Sequence, residues 1–166
     1  MASNDWQHEV VWRGMLYGQR SMLLRLTARL KKDFDLTAAQ FEALSFLREA
    51  PDHTLPATAL ASCMLYSSGS ASHLFARLTE RGLVERRQDE RDARVIHVAL
   101  TPEGLHLARR AGAAHRQDLL KEFAPLVEPD EMQLLLRFTD RLERAEGVSK
   151  PASPLAIDTE AAPGTK

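Results

Sequence analysis

From Trp6 to about Lys32 the chain repeats apolar residues at steps of mostly three and four: Trp12, Met15 or Leu16, Met22 or Leu23, Leu26 and Leu30. That spacing is one face of an α-helix. Val10, Val11, Tyr17 and Leu24 widen the stripe beyond what one small neighbour covers, which points to a partner chain. Residues 1 to 5 lie outside the pattern and are expected to be loose. A break falls at Asp33–Asp35. Thr37-Ala38-Ala39-Gln40 then has capping-box spacing, with Leu36 placed to staple onto Phe41. The second helix continues through Leu44 and Leu47 to about Glu49. Pro51-Asp52-His53 reads as a turn, and Pro56 suits the first position of a short helix containing Leu60. Cys63 to Tyr66 would lead into a fourth helix. Ser67 is its N-cap, Ala71, Leu74, Phe75 and Leu78 form its inward face, and Gly82 stops it.

The rhythm then becomes extended. Leu83–Arg87 and Val95–Leu100 flank a charged turn, Gln88–Arg94, and together predict a long hairpin. Thr101-Pro102-Glu103 starts a fifth helix, running to about Phe123, with Leu105, Ala108, Ala111, Leu119, Leu120 and Phe123 as inward candidates. Pro125–Pro129 breaks it. Glu128 or Pro129 opens a last helix, with Met132, Leu135, Leu136 and Leu142 on its apolar side, ending near Gly147. Residues 148–166 are rich in proline, alanine and threonine without periodicity, and read as a disordered tail. The predicted fold is mostly α with a small β wing: four helices, a hairpin, then two helices. Two short helices joined by a tight turn before the hairpin make a winged helix-turn-helix.

Four pieces in order, Arg77-Leu78, Arg81-Gly82-Leu83-Val84, Asp92-Ala93-Arg94 and Leu100-Thr101 to Gly104, resemble the wing and exit of the MarR family of bacterial transcription regulators. At lower resolution the resemblance extends from about residue 6 to residue 145. It implies a single domain over 6–146 with the winged helix-turn-helix at about 36–101. It also implies dimerisation through the terminal helices, about 6–32 and 102–145, in a triangular homodimer with one winged unit per chain. The implied function is a repressor on double-stranded DNA with an inverted-repeat operator, released by a small aromatic or phenolic effector. Trp12, Tyr17 and Phe41 are candidates to line the effector pocket. The sequence departs from the family at Ser68, where relatives usually carry a basic residue. It departs again at His73, often arginine, and at Ala93, often the first of two arginines.

The chemistry of reading DNA picks out particular side chains. Base edges in a major groove are read by side-chain donors and acceptors on an inserted helix. Ser68, Ser70, Ser72, His73 and Arg77 occupy the polar side of the fourth helix. Arg87, Arg91 and Arg94 belong to the wing, where arginine suits a narrow minor groove. Of Arg86 and Arg87, one is expected to touch phosphate. Asp92 would be repelled by phosphate, so it is expected to fix the wing by holding Arg94 or a backbone amide of the turn. Arg81, near the helix end, either complements the helix dipole or meets DNA. His73 would make binding pH-dependent if its charge matters.

Composition narrows the remaining choices. With 166 residues, 44% hydrophobic and 27% charged, the chain suits one domain with a sizeable core. Net charge is −1. Between Asp52 and Thr101, six arginines face six acids (Asp52, Glu80, Glu85, Asp89, Glu90, Asp92), a net of zero. That balance keeps open a second reading: a winged-helix dimer acting mainly as a protein-interaction module with weak DNA affinity. The single cysteine, Cys63, forms no intrachain disulfide and is either a small buried residue or a redox sensor. The six histidines lack metal-ligand spacing, and neither a phosphate-binding glycine loop nor a nucleophile elbow is present. No enzyme activity, metal or cofactor is expected. Without a signal peptide or an apolar run of roughly 20 residues, the expected location is the cytoplasm, with no membrane partner.

Overall fold

The computed structural model describes residues 5–145. The tail expected over 148–166, the last residue of the expected domain and the first four residues lie outside the described residues. The described chain forms α1 (Asp5–Phe34), α2 (Ala38–Glu49), a short 3-10 turn (Pro51–His53), β1 (Thr54–Pro56), α3 (Ala57–Cys63), α4 (Ser68–Glu80), β2 (Val84–Gln88), β3 (Ile96–Leu100), α5 (Pro102–Glu122), a second 3-10 turn (Ala124–Leu126) and α6 (Met132–Ala145).

The core gathers one face of each central element. Leu30 of α1, Leu44 and Leu47 of α2, Leu60 of α3, Phe75 and Leu78 of α4, and Val84 and Val98 of the sheet are fully buried. Each such side chain contributes about 1.5–3 kcal/mol when taken from water. On α5 the buried positions are Gly104, Ala108, Ala111 and Ala114. Their small side chains let α5 lie against both α1 and α2. Leu120 and Phe123, expected inward, are exposed instead. They sit where α5 outruns the core.

The sheet has three strands, in the order β1-β3-β2, all antiparallel. The expected two-stranded wing is thus extended at its base by Thr54–Pro56, which pairs Leu55 with Val98. Pro56, which has no amide hydrogen, ends this edge strand and precedes α3 rather than opening it. The last helix also starts later than expected, at Met132. Glu131 folds back on the preceding turn, its carboxylate accepting the Glu128 amide at 3.0 Å and its own amide donating to the Glu128 carbonyl at 3.0 Å.

Caps set the remaining boundaries. Thr37 and Gln40 form a reciprocal capping box: the Thr37 hydroxyl accepts the Gln40 amide at 3.2 Å and the Gln40 side chain accepts the Thr37 amide at 3.0 Å. Thr101 caps α5 by accepting the Gly104 amide at 3.0 Å, and its hydroxyl donates to the Gly82 carbonyl at 2.7 Å. A Cβ at Gly104 would lie 1.9 Å from the Leu83 carbonyl oxygen, so only glycine lets α5 leave the wing at this angle. The threonine and glycine of the exit motif therefore serve one junction.

The same helix stop closes α3 and α4. After α4, Gly82 is left-handed (φ 68), with its amide on the Thr79 carbonyl at 2.8 Å and the Leu83 amide on the Leu78 carbonyl at 3.0 Å. After α3, the Leu65 amide meets the Ser62 carbonyl at 3.1 Å and the Tyr66 amide meets the Ala61 carbonyl at 3.0 Å. Here the left-handed residue is Leu65 (φ 55), 76% exposed. A leucine in this conformation is strained by about 1–2 kcal/mol, and its exposed side chain makes little compensating contact. Leu65→Gly is therefore expected to raise the unfolding midpoint in a thermal melt by a few degrees. A lowered midpoint would mean that the leucine makes a stabilising contact outweighing its strain.

Candidate nucleic-acid interface

Burying Ala71, Leu74, Phe75 and Leu78 turns the rest of α4 outward. Ser68, Ser70, Ser72, His73 and Arg77 are all exposed. Ser67 caps the helix as expected: its hydroxyl accepts the Ser70 amide at 3.4 Å and donates to the Ser70 hydroxyl at 3.1 Å. Ser70 is thus part of the cap but keeps its own hydroxyl hydrogen to donate.

Between α3, α4 and the wing lies a groove of about 270 Å³. Ser68 and Ser72 line it from α4, and Arg86 and Arg94 from the wing. Arg94 therefore stands beside the helix as well as in the hairpin turn, while Arg91 lies in the exposed turn. Arg86, one of the two arginines of which one was expected at phosphate, belongs to this group. It lies two residues after the buried Val84, on the same side of β2, and that alternation was the available signal. Arg87 points to the other side and pairs with Glu85.

The wing turn is held by two carboxylates. Asp92 accepts the Arg94 amide at 3.0 Å, one of the two roles expected for it. Asp89 does more: it accepts the amides of Arg91 at 2.9 Å and Asp92 at 3.0 Å, and its other oxygen meets His97 Nε2 at 3.0 Å. The Arg91 and Asp92 amides, followed by His97, hold the Asp89 carboxyl below its usual range. An aspartate just after a strand, with turn amides two and three residues on, is an Asx turn that the sequence displayed.

These contacts change the meaning of the neutral charge count. Glu85 is spent on Arg87, and Asp89 and Asp92 on the turn. Among the described residues, Arg77, Arg86, Arg91 and Arg94 have no acidic partner. Arg86 and Arg94 thus line the groove beside α4, while the Asp89 and Asp92 carboxylates are turned to backbone amides of the turn.

The family model of the MarR family matches residues 34–95, which span α2, the helix-turn-helix and the hairpin turn. The transcriptional repressor MprA of Escherichia coli is 24% identical over 141 residues, covering 83% of this chain and 80% of that protein. The multiple antibiotic resistance protein MarR of Salmonella typhimurium is 26% identical over 135 residues, covering 81% and 92%. The crystal structure of Sco3205, a MarR family regulator from Streptomyces coelicolor in complex with DNA, superposes with a TM-score of 0.78 at 25% identity, covering 86% and 88%. The chain is similar to the MarR family in sequence and in fold. Its fold is the winged helix of solved MarR family regulators.

Other candidate residues of the chain fall elsewhere. Trp12 and Tyr17 are exposed on the N-terminal half of α1, and Phe41 packs its ring on His115, with centroids 4.8 Å apart. Burial pushes the His115 imidazole below its usual value. One chain does not bring the three aromatics into one cavity. A cleft of about 400 Å³ between α1 and α5 is instead lined by Arg25, Arg29, Lys32, Asp33, Asp118 and Glu122. Arg29 bonds Asp118 there at 3.2 Å. Burial pushes the Cys63 thiol up, away from the thiolate that redox sensing needs. Among the described residues no helix is long and apolar enough to cross a membrane, and no His, Cys, Asp or Glu group is placed to hold a metal.

Replacing Asp89 with alanine is expected to leave the helices intact and to speed amide hydrogen exchange at Arg91 and Asp92. Unchanged exchange at those two amides would show that the wing holds its shape without this carboxylate.

Proposed function

We propose that the chain is a homodimeric transcriptional repressor that binds double-stranded DNA at an inverted-repeat operator in the cytoplasm and releases it on binding a small effector. The observation that carries this is the outward face of α4, where three serines, His73 and Arg77 stand beside a wing whose Arg86, Arg91 and Arg94 have no acidic partner. Ser68, Ser70, Ser72, His73 and Arg77 would read a major groove. Arg91 and Arg94 would reach a minor groove, with one of Arg86 and Arg87 at phosphate.

Pairing of two copies is supported by surface that one chain leaves bare. α6 buries none of its residues, and Met132, Leu135, Leu136 and Leu142 along it are exposed. On α1, Trp6, Val10, Trp12, Leu16 and Leu24 are exposed as well. Apolar area on this scale, at both ends of one chain, fits the terminal helices of a second copy. The domain bounds of about 6–146 follow, with residues 36–101 as the reading unit. A pocket holding Trp12 or Tyr17 with Phe41 would need that second copy to close it, and an aromatic acid or phenol is the effector that suits such walls. The alternative of a protein-interaction module drew on the neutral charge balance, and the pairing of Glu85, Asp89 and Asp92 weakens that support.

Fluorescence anisotropy against the protein's own upstream DNA, at several salt concentrations, tests this. Site-specific binding is expected, with the logarithm of affinity falling linearly with that of salt. Arg77→Ala should weaken binding by about 1–3 kcal/mol, and Arg94→Ala should lower the salt slope by about one. Absence of salt-dependent binding to any duplex would overturn the proposal.

A further inference from the structure

We propose that Arg81 is a positioning residue for DNA binding: it locks the exit end of α4 onto the junction of α1 and α2, so that the recognition helix takes its orientation from α1. The inference rests on the DNA-binding role proposed above.

A helix ends with carbonyls that have no partner within the helix. At the end of α1 the Phe34 and Asp35 carbonyls are taken by Arg81, 47 and 46 residues later in the chain. Nη1 donates to the Asp35 carbonyl at 2.7 Å and to Gln40 Oε1 at 3.4 Å, and Nη2 donates to the Phe34 carbonyl at 3.5 Å. The Asp35 carboxylate lies 3.9 Å away and also pairs with Lys31. Asp35 is left-handed (φ 51). Gln40 is buried, and the same Oε1 accepts the Thr37 amide of the α2 capping box. One guanidinium therefore touches the last turn of α1, the link, and the first turn of α2.

This fixes direction in a way that the core does not. Apolar burial is non-directional, whereas a guanidinium offers donors in a rigid plane. Arg81 is the C-cap of α4, one residue before the left-handed Gly82. Its charge also sits at the negative end of the α1 dipole. With both Nη atoms engaged at Phe34, Asp35 and Gln40, the side chain is committed to the scaffold rather than to phosphate. Since α1 carries the apolar face that a second copy would cover, the spacing of two α4 helices depends on this joint.

The test compares the full-length protein with Arg81→Ala and Arg81→Lys by anisotropy, on a duplex with two half-sites and on one with a single half-site, across several salt concentrations. Arg81→Ala is expected to weaken two-half-site binding at least tenfold, with single-half-site affinity within twofold and the salt slope unchanged. Arg81→Lys, which keeps the charge and loses the fork, should recover only a small part of the loss. Wild-type affinity of Arg81→Ala on two half-sites overturns the inference. So does an equal loss on both duplexes, which marks a merely structural role. A salt slope lowered by about one in Arg81→Ala and restored in Arg81→Lys would make Arg81 a phosphate contact, also overturning it. If Arg81→Ala does not fold, Arg81→Lys decides alone: a severalfold loss confined to two half-sites supports the joint, and wild-type affinity refutes it. Failure of the wild-type protein to bind any duplex in a salt-dependent manner would instead refute the DNA-binding role, a separate outcome.

Discussion

Everything the surface of α4 offers depends on the burial of its other side. Ala71, Leu74, Phe75 and Leu78 are held in a core shared with α2, α3 and the sheet. Consecutive helical residues are turned by about 100°, so rolling α4 by one residue would drive Ser72 and Thr79 into that core and expose Leu74 and Leu78. The cost, several kcal/mol for the lost apolar burial and unpaired polar groups, exceeds anything surface hydrogen bonds return. The polar face is therefore fixed before any DNA approaches. The stop at Gly82 and the Arg81 joint then decide where that fixed face points.

The wing shows how local pairing overrides composition. A count of six arginines against six acids predicts no attraction for a polyanion. Three of those acids are engaged: Asp89 and Asp92 with turn amides, Glu85 with Arg87. Backbone amides carry no formal charge, so these carboxylates keep theirs. Asp89 and Asp92 nonetheless point to turn amides, while Arg86 and Arg94 line the groove beside α4. Placement of charge, and not its sum, distinguishes this face.

Most boundaries were legible in the sequence because they are set by residues within one turn of each other. Thr37 with Gln40, Ser67 with Ser70, and Thr101 with Gly104 each act across three positions, and each cap forms as its spacing indicates. What was not legible depends on partners far away. Thr54–Pro56 is a strand only because β3 arrives more than forty residues later to pair with it. Its three residues carry no alternation of their own. Leu120 and Phe123 have helical spacing identical to that of buried residues, and their exposure follows from where the core ends. Arg81 gave no sign that it would reach back to α1. In the candidate interface, the serines, His73 and Arg77 were readable from helical phase. Choosing between Arg86 and Arg87 needed the face of β2 to be known.

The terminal helices close the account. α1 is 30 residues long, roughly 45 Å, and only Leu26 and Leu30 of it are buried. α6 buries nothing. In the proposed homodimer these bare faces would meet, and two copies of α4 would be presented to successive major grooves about one helical turn, roughly 34–36 Å, apart. The most direct measurement is sedimentation equilibrium of the protein with a duplex carrying two half-sites at that spacing. Two chains per duplex is the predicted stoichiometry. One chain per duplex, with the unbound protein monomeric at the same concentration, would contradict it.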